Sequence, residues 1–185
     1  MLPKNTGLKT FAEQSLEKLD ISKKDILLFR GEDIPKLVDK FIQEGINVIG
    51  ITGNDLFTEY CLRTSSQLKV LKKIEWINEA YLFKKPTLCL LGPENKTLND
   101  LPKRIRIGIN RKYTCISEEY LKQWKKQGQK IQQRYFSGET EQTVKQGLTD
   151  LCIEIVCTGS SLKKNDLKIY DKVFESDLVI VGEEK

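Results

Sequence analysis

The sequence predicts an α/β protein of two lobes. Three observations carry that reading. Short apolar, β-branched runs alternate with amphipathic helical stretches, and two of these units echo one another. At 185 residues, the chain is also long enough to bury a real core as one domain or two small lobes. The echo pairs Val38–Leu56 (helix, Gly-Ile, apolar strand, Thr-Gly-Asn-Asp-Leu) with Val144–Leu162 (helix, Gly-Leu, apolar strand, Thr-Gly-Ser-Ser-Leu). Either these are two related βα units, each offering a Thr-Gly loop toward a cleft, or two helix–turn–strand units share a chance likeness.

In chain order, Phe11, Ala12, Ser15, Leu16 and Leu19 set a helical period over residues 9–19. Residues 25–29 form a short apolar strand. Ile34, Leu37, Val38, Phe41 and Ile42 mark a helix over 34–44 that Gly45 ends. Residues 46–52 read as a buried β-branched strand and 56–62 as the start of a helix. Residues 76–83 and 87–91 look extended. A second block begins near Pro86, with a strand at 105–109 and a helix at 117–126 that starts around Ser117. Residues 130–136 form a polar strand, and 141–146 a helix stopped by Gly147. Strands at 151–156 and 178–181 complete the series.

The formal charge is +5, with both signs mixed along the chain and lysine pairs scattered through it. That excess suits a small polyanionic ligand. With no basic block, stacking motif or zinc-finger spacing, a nucleic-acid partner is excluded. There is no histidine, so no Ser-His-Asp or Cys-His site can form within the chain. The five cysteines show no C-x-x-C, and an odd count argues for reduced thiols of the cytoplasm, with Cys89 and Cys152 as core residues. No window approaches the roughly 20 apolar residues of a membrane span, and no signal peptide is read at the N-terminus.

The most telling stretch is Cys152-Ile153-Glu154-Ile155-Val156-Cys157-Thr158-Gly159-Ser160-Ser161-Leu162. A strand carrying one acid breaks into a turn of small residues whose backbone N–H groups and hydroxyls can converge on a phosphate. Glu154 repels phosphate but accepts from sugar hydroxyls beside one, so acid plus cradle suggests a phosphorylated sugar. An ordinary turn at the end of a strand is the plain alternative.

Several ordered segments carry a wider resemblance. They are Leu2-Pro3-Lys4, Arg30-Gly31-Glu32-Asp33-Ile34-Pro35, Gly50-Ile51-Thr52-Gly53-Asn54-Asp55, Gly138-Glu139-Thr140-Glu141, Gly147-Leu148-Thr149-Asp150, Glu154 through Leu162, and Asn165-Asp166-Leu167. Together they resemble the catalytic domain of ATP phosphoribosyltransferase, whose pattern reads L-P-K, R-x-x-D-I-P, G-I-T-G-x-D, G-S-V-E, G-x-A-D, D-x-V-x-T-G-x-T-L and N-G-L in the same order. The resemblance implies two α/β lobes of the periplasmic-binding-protein type II, with a cleft between them. The first covers residues 1–85 with 173–185 returning to it; the second, 86–172, carries the phosphoribosyl loop.

The implied reaction is attack of ATP N1 on C1 of phosphoribosyl pyrophosphate with loss of pyrophosphate, the first step of histidine biosynthesis. Mg²⁺ would be held by substrate oxygens, so no protein metal ligands are expected. The resemblance implies that Cys157, Thr158, Gly159, Ser160 and Ser161 hold the 5′-phosphate and that Glu154 accepts from the ribose. Lys4 and Arg30 would meet pyrophosphate or triphosphate oxygens, and Thr52, Gly53 and Asn54 would form the opposite loop on the nucleotide side. Glu141 either faces the same cleft or is a helix N-terminal acid favoured by the dipole; Asp33 can serve as the cap of the helix at Ile34.

The chain departs from the pattern in places. Glu154 replaces an aspartate, Ser160-Ser161 replaces x-Thr, and Leu2-Pro3-Lys4-Asn5-Thr6-Gly7-Leu8 lacks the arginine of L-P-K-G-R-L, with Lys9 as a partial substitute. The resemblance is to the short form, which lacks a histidine-binding regulatory domain and works with a histidyl-tRNA-synthetase-like subunit, here expected in a homo-oligomer. The alternatives are a catalytically silent relative that binds a phosphorylated nucleotide or sugar as a regulatory subunit and, last, a bilobal small-ligand binding protein.

Overall fold

The computed structural model describes residues 1–5, 8–10, 12–13 and 25–184. The helix expected at 9–19 lies largely outside them. The chain divides into two compact units, Met1–Trp76 with Ser176–Lys185, and Ile77–Glu175.

In the first unit, β1 (Leu2–Pro3) runs parallel to β2 (Leu28–Phe29). The strand expected at 25–29 narrows to its last two residues, since β1 offers only two partners. α1 (Ile34–Gln43) follows, with Pro35 in the first turn, where a missing N–H breaks no helical bond. Gly45 ends it at φ +78°, a conformation glycine takes without strain. Next come β3 (Gly50–Gly53), α2 (Asn54–Arg63) and β4 (Lys69–Ile74). β10 (Leu178–Gly182) then returns between β3 and β4, antiparallel to both.

Val179 and Val181 of β10 pack with Met1, Ile34, Val38 and Phe57 in one apolar cluster. The strand expected at 46–52 starts only at Gly50, the last residue that β10 reaches, and Ile46 remains exposed. There α1 lies so close that a Cβ on Gly50 would sit 2.5 Å from Ile34 Cγ2. β4 has no warning in the sequence. Lys-Val-Leu-Lys-Lys-Ile lacks alternation and is almost wholly exposed, and it is a strand because β10 has a second edge to pair.

The second unit holds a five-stranded sheet of order β7-β6-β8-β5-β9. Its strands are β5 (Thr87–Pro93), β6 (Arg104–Asn110), β7 (Lys130–Phe136), β8 (Leu151–Val156) and β9 (Leu167–Glu175). β6 is parallel to β7 and β8, whereas β5 is antiparallel to β8 and β9. α3 (Thr114–Lys126), α4 (Thr140–Lys145) and α5 (Ser160–Lys164) link β6 to β7, β7 to β8 and β8 to β9. β5 and β8 are central and buried, which is why Leu88–Leu91 and Leu151–Ile153 read as unbroken apolar runs.

Two expectations change here, and one strand was not expected. Residues 76–83 turn rather than extend: Asn78 Oδ1 accepts from the Ala80 N–H at 3.0 Å, and Lys84 takes φ +61°. α3 starts at Thr114, continuing the 3-10 turn Arg111–Tyr113, so Ser117 is a buried residue inside the helix and not its cap. β9 emerges from a mixed polar and apolar stretch that gains its order as an edge strand on β5.

Candidate functional site

In the second unit, β8 leaves the sheet at Val156, and the chain turns through Cys157, Thr158 and Gly159 into α5. Gly159 has φ +76°, a left-handed turn that leads the chain into α5, and the Ser160 N–H donates to Thr158 Oγ1 at 3.4 Å. Thr158 Oγ1 and Ser160 Oγ lie 3.0 Å apart, and Thr158, Ser160 and Ser161 are exposed. Cys157 is half-buried, and its carbonyl accepts from the Leu82 N–H at 2.8 Å. The buried thiols are unlike it. Burial pushes Cys89 up to about 12 and Cys152 well above the usual thiol range, which leaves both as inert core residues.

A pocket of about 350 Å³ opens beside this turn, lined by Asn110, Glu139, Glu141, Glu154, Ser161 and Lys164 among others. Glu154 is buried in β8. Its Oε1 accepts from Asn110 Nδ2 at 3.1 Å and from the Ile155 N–H at 3.1 Å. Its Oε2 accepts from Asn110 Nδ2 at 3.0 Å and from Thr140 Oγ1 at 2.8 Å. Burial raises the Glu154 carboxyl above its ordinary value. The bonds from Asn110, Ile155 and Thr140 pull it back, and the Glu141 charge adds a further rise. Glu141 stands in the first turn of α4 and on the wall of this pocket. A larger pocket, about 510 Å³, includes Glu94, Lys145 and the Asn165-Asp166-Leu167 motif, and none of the residues given a catalytic or binding role from the sequence.

In the first unit, the parallel register of β1 and β2 sets Lys4 and Arg30 side by side, each one residue past a paired position. The Lys4 N–H donates to the Phe29 carbonyl at 2.6 Å, and both side chains are exposed; Arg30 lies 3.7 Å from Glu32. Thr52 is fully buried, and its hydroxyl donates to the Gly31 carbonyl at 2.8 Å. At Gly53 a Cβ would lie 2.3 Å from Asp55 Oδ1, so no larger residue fits. Asn54 opens α2, its N–H donating to the Asp177 carbonyl at 2.8 Å. Asp33 precedes α1 but makes no side-chain capping bond.

Sequence reasoning missed Asn110 and Thr140. Thr140 lay inside the Gly138–Glu141 motif already singled out. Asn110 ends an apolar strand, the one available sign that its amide needs a partner. Among the described residues, no group of three or more His, Cys, Asp or Glu side chains is placed to hold a metal ion, and no helix is long and apolar enough to cross a membrane.

The chain matches the sequence profile of the HisG family, ATP phosphoribosyltransferase, over residues 30–185. An ATP phosphoribosyltransferase from Methanococcus maripaludis strain C7 is 28% identical over 162 residues, which make up 86% of this chain and 50% of that protein. The chain spans about half the length of the curated relatives it matches. Among solved structures, an ATP phosphoribosyl transferase (HisG:HisZ) complex from Thermotoga maritima is similar over 99% of this chain and 88% of that chain, with TM-score 0.68 and 23% identity. An ancestral arginine-binding protein bound to arginine is similar over 95% and 73%, with TM-score 0.53 and 15% identity. These structural likenesses show the fold, a mixed α/β architecture of the kind that periplasmic binding proteins share.

Proposed function

The chain belongs to the HisG ATP phosphoribosyltransferase family, and from that premise we propose that it transfers the phosphoribosyl group of phosphoribosyl pyrophosphate to N1 of ATP. The bond from C1 to the pyrophosphate oxygen breaks, the bond from C1 to N1 forms, and pyrophosphate leaves. The observation that carries this reading is the left-handed turn at Gly159, which sets three exposed hydroxyls beside a pocket walled by Glu141 and Glu154. Thr158, Gly159, Ser160 and Ser161 would hold the 5′-phosphate, and the acids would face the sugar hydroxyls.

Such a reaction asks little of a nucleophile or a base. Its leaving group is stable once its charge is met, and the cationic sugar needs positioning and a fixed electrostatic frame. Arg30 and Lys4, exposed and adjacent, are the cations proposed for phosphate oxygens, Arg30 as a planar fork. Mg²⁺, when bound through substrate oxygens, would supply further charge neutralisation. Glu139 and Glu141 are hard oxygen donors that suit its water shell. The likeness to a HisG:HisZ complex supports a regulatory partner subunit for this chain. Five free thiols support a reducing, cytoplasmic setting.

The test is turnover of ATP and phosphoribosyl pyrophosphate with Mg²⁺, followed by absorbance with pyrophosphatase present, with and without a HisZ-type subunit. Product formation is expected. If neither mixture turns over and calorimetry still finds phosphoribosyl pyrophosphate bound, the chain is instead a catalytically silent relative. The arginine absent from Leu2–Leu8 favours that second reading.

A further inference from the structure

We infer that residues 78–84 brace the proposed phosphate turn, and that Tyr81 and Cys157 are positioning residues that hold Thr158, Ser160 and Ser161 in place without themselves meeting the phosphate. The inference rests on the proposed sugar-phosphate site. Strand register sets the placement. β5 is antiparallel to β8, and Thr87 at the start of one pairs with Val156 at the end of the other. The residues that lead into β5 therefore emerge beside the residues that leave β8, which are the turn.

Those leading residues form a closed loop with a frame of its own. The Asn78 N–H donates to the Lys84 carbonyl at 2.7 Å and so joins the two ends. Inside the loop the Tyr81 N–H donates to the Asn78 carbonyl at 2.9 Å, and the Lys84 N–H to the Tyr81 carbonyl at 3.0 Å. Lys84 takes φ +61°, a conformation disfavoured for a side chain and kept only where neighbours impose it. Phe83 anchors the loop. It packs against the buried cluster that holds Val156 and Leu162, and Lys172 Nζ lies 4.1 Å from its ring centre.

From this frame two polar bonds reach the first residue of the turn. The Leu82 N–H donates to the Cys157 carbonyl at 2.8 Å, and the Tyr81 hydroxyl is hydrogen-bonded to the Cys157 thiol. Leu82 adds an apolar contact, since its Cδ2 stands 3.7 Å from where a Cβ on Gly159 would lie. Burial pushes the Tyr81 phenol up, with the Cys157 sulfur adding to the rise, so the hydroxyl stays protonated at neutral pH. Cys157 is thereby tied to the loop at both its carbonyl and its thiol, while Thr158, Ser160 and Ser161 stay exposed. A thiol so engaged is a tether, and supporting bonds of this kind fix the residues that do the binding.

Calorimetry with ribose 5-phosphate tests the brace in Tyr81→Phe, Cys157→Ala, Cys157→Ser and the double variant of the first two. Tyr81→Phe and Cys157→Ala should each weaken binding about three- to tenfold, the weight of one neutral hydrogen bond. The double variant should bind no more weakly than the weaker single one, since both substitutions remove the same bond. Cys157→Ser, whose hydroxyl can take the place of the thiol, should stay within about twofold of the wild type. Unchanged affinity in Tyr81→Phe overturns the inference, and a loss in Cys157→Ala beside it makes the thiol a phosphate contact. Losses that multiply in the double variant overturn it as well. Tyr81→Phe, which removes a single oxygen, carries the test if Cys157→Ala does not fold.

A ligand-free measurement separates this inference from the reading beneath it. In hydrogen exchange, Tyr81→Phe should speed exchange at the Leu82 amide and at the amides of α5 while β6 and β8 stay protected. Equal protection of α5 in the two proteins overturns the inference, because the loop then does not hold the turn. Faster exchange throughout the second unit overturns it too, since the hydroxyl is then a general stabilising group. If the wild type does not bind ribose 5-phosphate, the sugar-phosphate reading fails, while exchange still decides whether the loop braces the turn.

Discussion

At Gly159, φ is +76°, and a Cβ would find only Leu82 Cδ2 at 3.7 Å and Leu162 Cδ1 at 3.9 Å. Space is therefore available, and backbone strain is the cost. Gly159→Val should lower stability by about 1–2 kcal/mol, the penalty of the left-handed region for a side chain, without unfolding the protein. The altered turn should weaken ribose 5-phosphate binding at least about tenfold. Calorimetry beside a thermal melt checks both, and unchanged affinity removes the turn from the site. Arg30 has no such structural duty: it is exposed, with a loose contact to Glu32. Arg30→Ala should leave the melting temperature within a degree or so and reduce kcat/KM by about 10²-fold or more, as loss of a preorganised charge on a reacting phosphate does. Steady-state kinetics decides; an unchanged kcat/KM makes Arg30 a surface residue.

The elements of the second unit are tied by a polar clasp as well as by packing. Arg106 is the third residue of β6 and Asp150 precedes β8. The guanidinium donates to both carboxylate oxygens at 2.7 and 3.1 Å, the Arg106 N–H donates at 2.7 Å, and the Asp150 N–H donates back to the Arg106 carbonyl at 2.8 Å. Burial pushes the Asp150 carboxyl up, but the side-chain and backbone bonds from Arg106 and its charge outweigh burial and hold it below the ordinary value. A lowered folded-state value means that ionised Asp150 stabilises the fold above the ordinary aspartate range, and that this contribution is lost as the pH falls through the folded value. Asp150→Asn should therefore cost about 1–2 kcal/mol at neutral pH, allowing for the partial exposure of Arg106. Thermal melts of the two proteins should converge in strong acid. A gap that stays constant with pH would mean that the carboxylate charge does not matter there.

At the scale of the whole molecule, the two units differ in how the chain builds them. The second is continuous, Ile77–Glu175, and carries its own buried sheet. The first depends on Ser176–Lys185, because β10 is the middle strand that both β3 and β4 require. Residues 77–175 made alone should fold cooperatively, with slow amide exchange in β5 and β8. A chain ending at Glu175 should lose protection in β3 and β4 while keeping it in the second unit. Hydrogen exchange distinguishes the units, and uniform loss of protection would show that neither folds without the other.

By itself the sequence determined what is local. The 3.6-residue stripe of α1, the apolar runs of β5 and β8, the glycine stops at Gly45 and Gly147 and the Thr-Gly turn all arise from neighbours along the chain. Its ordered motifs also led to the family. The two Thr-Gly turns of the echo differ once folded. Gly159 takes φ +76° and opens its turn, whereas Gly53 takes φ −72° in a turn where Thr52 is bonded inward to Gly31. Asp166, standing where the family pattern has glycine, takes φ +57°. Only the tertiary structure decided that β4 and β9 are strands, since each is ordered by a partner distant in sequence and not by its own pattern. It alone set Asn110 against Glu154, 44 residues away, because the parallel register of β6 and β8 fixes which side chains share a pocket. A buried carboxylate takes whatever donors the fold brings within 3 Å or so, and no spacing along the chain records that choice.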